Sequence, residues 1–211
     1  MTLRHSPSEE RLLAYVAGTL SPPEAVVVAT HLAMRPDADR WVKRLQQVGG
    51  QVLDDLEPAS MGGDALSRTL ARIDVDAGEA VAPPPLNDMP ELPEPLRRLP
   101  LGKWRWAGPG VEVRHIEAPR EGATRLILLR IAPGQSTPKH THEGAELTCV
   151  ISGAYATDEV RYEAGDFEEA DEDVLHQPRV VSKEPCLCVA ALDGEIQLGG
   201  WMRVFQPFVK L

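Results

Sequence analysis

The sequence predicts an α+β protein in two parts: a small N-terminal unit of four helices, then a C-terminal antiparallel β-barrel of double-sheet type. Residues 1–75 carry helix-capping signals and apolar positions at helical spacing. Residues 76–97 are dense in proline, which excludes helix and central strand and marks a linker. From Trp104 onward, short apolar runs recur between turn residues, the pattern of a sandwich or barrel. The expected organisation is therefore 1–75, helical domain; 76–97, linker; and 98–211, β domain.

Each element has its own signal. Ser6-Pro7-Ser8-Glu9 starts a helix that runs through Leu12, Leu13, Tyr15 and Val16 and stops at Gly18. Ser21-Pro22-Pro23-Glu24 starts a second, carrying Val27, Val28, His31 and Leu32 and ending near Met34 or Arg35, before Pro36. A third is expected from about Pro36 to Leu56, with Trp41, Leu45 and Val48 on its apolar face and a weak point at Gly49-Gly50. A short fourth runs from Asp64 to Ile73 through Leu66 and Leu70. Strands are expected at Val111–Ile116, Thr124–Ile131, Leu147–Ile151, around Asp166-Phe167, at Val180-Val181, at Leu187–Leu192 and at Trp201–Phe208. The acidic stretch from Glu163 to Asp173 reads as a solvated edge and turn.

Composition narrows the function. The chain of 211 residues has a formal net charge of −10. Residues 1–80 hold 8 basic and 12 acidic side chains, and residues 81–211 hold 14 and 20, so neither part suits direct nucleic-acid binding. No apolar run nears the roughly 20 residues that span a bilayer, and Met1–Pro7 is no signal peptide, which gives a cytoplasmic expectation. Three cysteines, Cys149, Cys186 and Cys188, argue against a disulfide framework. Cys186 and Cys188 lie two apart on a strand, roughly 6.6 Å at Cα, so they share a face. They read either as two small apolar residues or as a redox-sensitive pair.

The chemistry concentrates in Gly134-x5-His140-x-His142-x3-Glu146-x6-Gly153, followed by Gly165-x10-His176. His140 and His142 project to one side of a strand, and Glu146 opens the next. Three imidazoles and a carboxylate converging inside a barrel make a divalent metal site, suited to zinc, iron, manganese or nickel.

This spacing resembles the two motifs of the cupins. Gly134, His140, His142, Glu146 and Gly153 match the first in full; Gly165 and His176 keep the interval of the second. Asp171, Asp173 and Val180 depart from the usual Pro, Gly and Asn there. The resemblance implies a jelly-roll barrel over about 98–211.

The run Leu12–Ser21, with Glu24-Ala25 and His31-Leu32-Ala33, resembles the zinc-binding anti-sigma domain. That family's ligands are an N-terminal His, matched by His5, and a His-x3-Cys-x2-Cys motif, whose His is matched by His31. Arg35 and Ala38 occupy the two cysteine positions. Without thiolates, His5 and His31 form a degenerate site expected to be empty. The combination of both parts resembles the ChrR-type anti-sigma factors. It implies a helical half that sequesters an extracytoplasmic-function sigma factor, and a zinc-binding cupin half required for release under oxidative or singlet-oxygen stress. The alternative is a cupin metalloenzyme, of dioxygenase or hydrolase type, acting on a small molecule.

Overall fold

The computed structural model describes residues 5–76, 84–119, 122–158 and 160–199; the strand expected at Trp201–Phe208 lies outside them. Four helices come first: α1 (Glu9–Ala17), α2 (Pro22–Met34), α3 (Asp39–Asp54) and α4 (Ala65–Asp76). The capping signals hold for the end of α1 and the start of α2, but α1 begins later than a capping box from Ser6 with Pro7 at the first helical position implies: its N-cap is Ser8 and Pro7 precedes the helix. The Ser8 hydroxyl accepts from the Arg11 amide at 3.3 Å, and α1 ends on Gly18 in the left-handed conformation at φ 70°. Ser21 and Glu24 close a capping box on α2, with the Ser21 amide donating to Glu24 at 3.0 Å. The third helix begins three residues later than expected, because residues 36–38 turn before Asp39.

The strands are β1 (Arg105–Gly108), β2 (Val111–Ile116), β3 (Arg125–Ile131), β4 (His140–His142), β5 (Glu146–Ser152), β6 (Ala154–Ala156), β7 (Arg161–Glu163), β8 (Phe167–Ala170), β9 (Arg179–Val180), β10 (Cys186–Leu192) and β11 (Ile196–Leu198). All pairings are antiparallel, in a six-stranded sheet β1-β2-β3-β10-β5-β8, a three-stranded sheet β7-β6-β9 and a pair β11-β4. The architecture is thus four helices followed by a strand-rich antiparallel domain. Closure of the expected double-sheet barrel is not found among the described residues, where the three sheets do not join into one ring of hydrogen bonds.

The six-stranded sheet is the middle of the molecule and is buried on both faces. This explains why β3, β5 and β10 read as near-continuous apolar runs. Alternate residues divide between the faces. Leu126, Leu128, Leu147, Cys149, Phe167, Val189 and Ala191 join one core with Leu12, Val27 and Val28 of the helices. Val111, Ile131, Val150, Cys186 and Cys188 point the other way, into the space covered by the small sheets.

Helix α2 is apolar on more than one side because it has more than one neighbour: it packs on β5, β10 and β3, on α1, and on the 3₁₀ turn Glu94–Leu96. The proline-dense stretch supplies that last contact. Leu92 and Leu96, at 0% exposure, are fully buried in the same core, so this part of the expected linker is packed structure. The outer helices differ. Val48, Val52, Leu53 and Leu56 on α3 and its end, and Leu66, Leu70 and Ile73 on α4, are all exposed.

Candidate metal centre

The sheet pairing brings the histidines together. β4 runs antiparallel to β11, setting His140 opposite Leu198 and His142 opposite Ile196, and both imidazoles face inward. Glu146 opens β5 on the facing sheet. His176 is clamped to β4 by a pair of backbone hydrogen bonds with His140, both 3.0 Å. Gly153 makes the turn that follows β5 at φ 75°, where a Cβ would meet the Pro185 carbonyl oxygen at 2.7 Å.

The result is a buried cluster in which one donor atom from each of His140, His142, Glu146 and His176 lies within 4.8 Å of the others. The Nε2 atoms of His142 and His140 are each 3.2 Å from Nε2 of His176. The Oε2 atom of Glu146 is 3.2 Å from Nε2 of His142.

The tautomers make this arrangement informative. His140 Nδ1 lies 2.7 Å from the Pro138 carbonyl, which can only accept, so the proton is on Nδ1. His176 Nδ1 lies 3.2 Å from the Glu168 carboxylate. With both rings neutral, the facing Nε2 atoms of His140 and His176 are lone pairs directed at each other, a contact relieved by a metal ion or a proton held between them. An edge of 3.2 Å is that of a tetrahedron with a centre-to-vertex distance of about 2.0 Å, the Zn–N length. It is also that of an octahedron of about 2.3 Å. The residues fit a divalent metal, and the geometry admits more than one.

Electrostatics agree. Burial pushes His142 down to about 4, helped by nearby His176, and lowers His140, so these rings stay neutral and able to ligate. Burial raises Glu146 despite the pull of His140 and the hydroxyl of Thr148, which donates to Oε1 at 2.7 Å. For His176 burial acts downward, but the hydrogen bond and charge of Glu168 override it and the ring is raised. Beside the cluster lies a cavity of about 90 Å³ walled by Val113, Ile127, Ala190 and Leu198.

Two supporting residues escaped the sequence reading. Glu168 orients His176 and also accepts a hydrogen bond from the Tyr155 hydroxyl. A carboxylate behind a ligating imidazole fixes the tautomer and raises its basicity. Glu168 was hidden in the acidic stretch expected to be solvated; in fact Asp166 and Glu168 are each 8% exposed. Period-two alternation from Phe167 was the available signal, since it sets Glu168 on the face opposite Phe167.

The other candidate residues lie elsewhere. His31 is fully buried, donates from Nδ1 to the Gly165 carbonyl at 2.7 Å and meets Phe167 edge-on at 5.6 Å. His5 rests on Tyr162, with ring centroids 4.8 Å apart. Arg35, at a cysteine position of the zinc motif, instead pairs with Asp166 at 3.0 Å and Asp37 at 3.3 Å, while Ala38 is buried. The cupin cluster is the one group of three or more metal-capable side chains among the described residues. Cys186 and Cys188 are buried and unbridged, with sulfurs 3.7 Å apart. Among the described residues no single helix is long and apolar enough to cross a membrane.

Comparison with known proteins follows the same division. Residues 101–194 match the family model of the ChrR cupin-like domain. The chain is 36% identical over 217 residues to the anti-sigma-E factor ChrR of Cereibacter sphaeroides, covering 100% of both. It also matches ChrR in the crystal structure of Rhodobacter sphaeroides SigE in complex with the anti-sigma ChrR: TM-score 0.73, 32% identity, 91% of this chain and 100% of that one. Full-length identity and a shared arrangement of helices and cupin place this chain in the ChrR family of anti-sigma factors.

Proposed function

We propose that this protein is an anti-sigma regulator whose helical part, residues 1–75, holds an extracytoplasmic-function sigma factor. The cupin part, residues 98–211, joined through 76–97, binds one zinc ion and serves release under oxidative stress. The observation that carries the reading is the full-length relationship to ChrR, including a structure solved with SigE. The exposed apolar residues of α3 and α4 support it, because Val52, Leu53, Leu66 and Leu70 are each more than half exposed and exposed apolar helix faces suit a protein partner.

In the cupin part, His140, His142, Glu146 and His176 are the ligands, with Pro138 and Glu168 holding two of the rings in register. Zinc, when bound, supplies the positive charge that satisfies the facing lone pairs and the buried Glu146 carboxylate. The protein's share is to keep the cluster largely buried and to leave Nε2 of His140 unprotonated by holding its Nδ1–H on the Pro138 carbonyl.

Co-expression of the full chain with the extracytoplasmic-function sigma factor of its own genome tests the first half. A stoichiometric complex that blocks sigma binding to core polymerase is expected, weakened by Leu66→Asp with Leu70→Asp. Elemental analysis tests the second: one zinc per chain, lost in His140→Ala with His142→Ala. Absence of any sigma complex overturns the regulator reading and reopens that of a cupin metalloenzyme.

A further inference from the structure

We propose that strand β8 couples metal occupancy of the cupin cluster to docking of helices α1 and α2, one face of the strand seating the helices and the other holding His176. The inference rests on the reading that the cluster binds a metal.

The outward face of β8 and the turn before it carry the helical contacts. The Phe167 amide donates to the His5 carbonyl at 2.8 Å, and its ring is buried in the core shared with α2. Glu169 accepts from the Ser8 amide, the N-cap of α1, at 2.7 Å, with Arg11 at 3.8 Å. The Gly165 carbonyl accepts from His31, and Asp166 pairs with Arg35. Gly165 sits at φ 88° with α2 so close that a Cβ would lie 3.0 Å from Cδ of Arg35. Between Phe167 and Glu169 stands Glu168, pointing to the opposite face, where it holds His176 Nδ1 and the Tyr155 hydroxyl.

Adjacent residues of one strand thus hold the helices and orient a metal ligand. A metal held by His176 through Nε2 would polarise its Nδ1–H and strengthen the bond to Glu168. Without it, nothing but a proton would join the Nε2 atoms of His140 and His176, and a shift of His176 would pass through Glu168 to β8. Linkage requires the effect to run both ways.

The test uses the full chain, with zinc ion and with chelator. Hydrogen exchange of α2 and β8 amides should be about tenfold faster without zinc, while β2 changes little. In the other direction, Arg35→Ala, at the surface end of the contact and away from the cluster, should lower zinc affinity several-fold in a chelator competition; the exposed Arg44→Ala should not. Stoichiometric zinc binding with unchanged α2 exchange overturns the coupling but leaves the metal site standing. So does slowing spread evenly over β2 and β10, or unaltered zinc affinity in Arg35→Ala. Failure to bind zinc at all overturns the coupling together with the metal reading.

Discussion

Truncating Phe167 to alanine should destabilise the helices and the cupin sheet together. Phe167 is 2% exposed, and its core includes Val27 and Val28 from α2 as well as Leu128, Leu147 and Val189 from the sheet. Burial of such a side chain is worth about 1.5–3 kcal/mol in transfer alone. The void it leaves between two rigid layers brings the expected loss to about 3–5 kcal/mol, within which the edge contact with His31 counts for roughly 0.5–1.5. A domain has about 5–15 kcal/mol in total, so the loss is large. For a chain of this size each kcal/mol moves the melting temperature by roughly 2–4 °C, giving a drop of about 6–20 °C. Urea titrations followed by circular dichroism at 222 nm, which reports the helices, and by tryptophan fluorescence should move to lower midpoints in parallel. A loss below about 1 kcal/mol, or a sheet transition that stays put while the helical one shifts, would refute a shared core.

Other outcomes follow from the geometry. X-ray absorption of the zinc-loaded chain should show only nitrogen and oxygen neighbours at about 2.0 Å; a sulfur shell near 2.3 Å would point to a thiolate ligand instead. His31 is lowered below its ordinary 6.5, first by burial and also by the charge of Arg35. The unfolded chain therefore binds a proton there that the folded chain refuses, and stability should fall as pH drops below about 6.5. Ring NMR at pH 6.5 should report a neutral Nδ1–H tautomer for His31, and a half-protonated ring would contradict its burial. Burial pushes the Cys149 thiol up to about 12, and Cys188 is raised first by its hydrogen bond with Cys186 and then by burial. All three cysteines should resist alkylation at pH 8 until denaturant is added; fast labelling of Cys186 or Cys188 in the native chain would mean that face opens.

Local signals were legible where local physics decides the outcome. Gly18 and the Ser21–Glu24 box mark helix ends because capping involves only neighbouring residues, although α1 takes its cap from Ser8 rather than from Ser6. β2 falls at the expected residues, and β3, β5 and β10 within a residue of them. The four clustered side chains were legible because two come from one short strand and a third from the residue opening the next. What depends on distant partners was not. Leu92 and Leu96 lie amid prolines and give no periodic pattern, so nothing local shows that α2 will cover them. Glu168 looks like its acidic neighbours until Tyr155 and His176 close around it. The role of Arg35 beside Asp166 spans 131 positions of chain, beyond any periodicity.

The proline-dense stretch has a kinetic consequence. It ties α2 covalently to the sheet that α2 covers, so docking is a unimolecular event with an effective concentration of about millimolar order. For a tethered pair of this kind, the ratio of undocked to docked chains would be independent of protein concentration. Any partner that needs the α2 face must outcompete a neighbour that never diffuses away, and once that partner leaves, the helix closes again without a search. A threshold of this kind is tuned by a few side chains such as Arg35 and Phe167, whose individual contributions set where the balance lies.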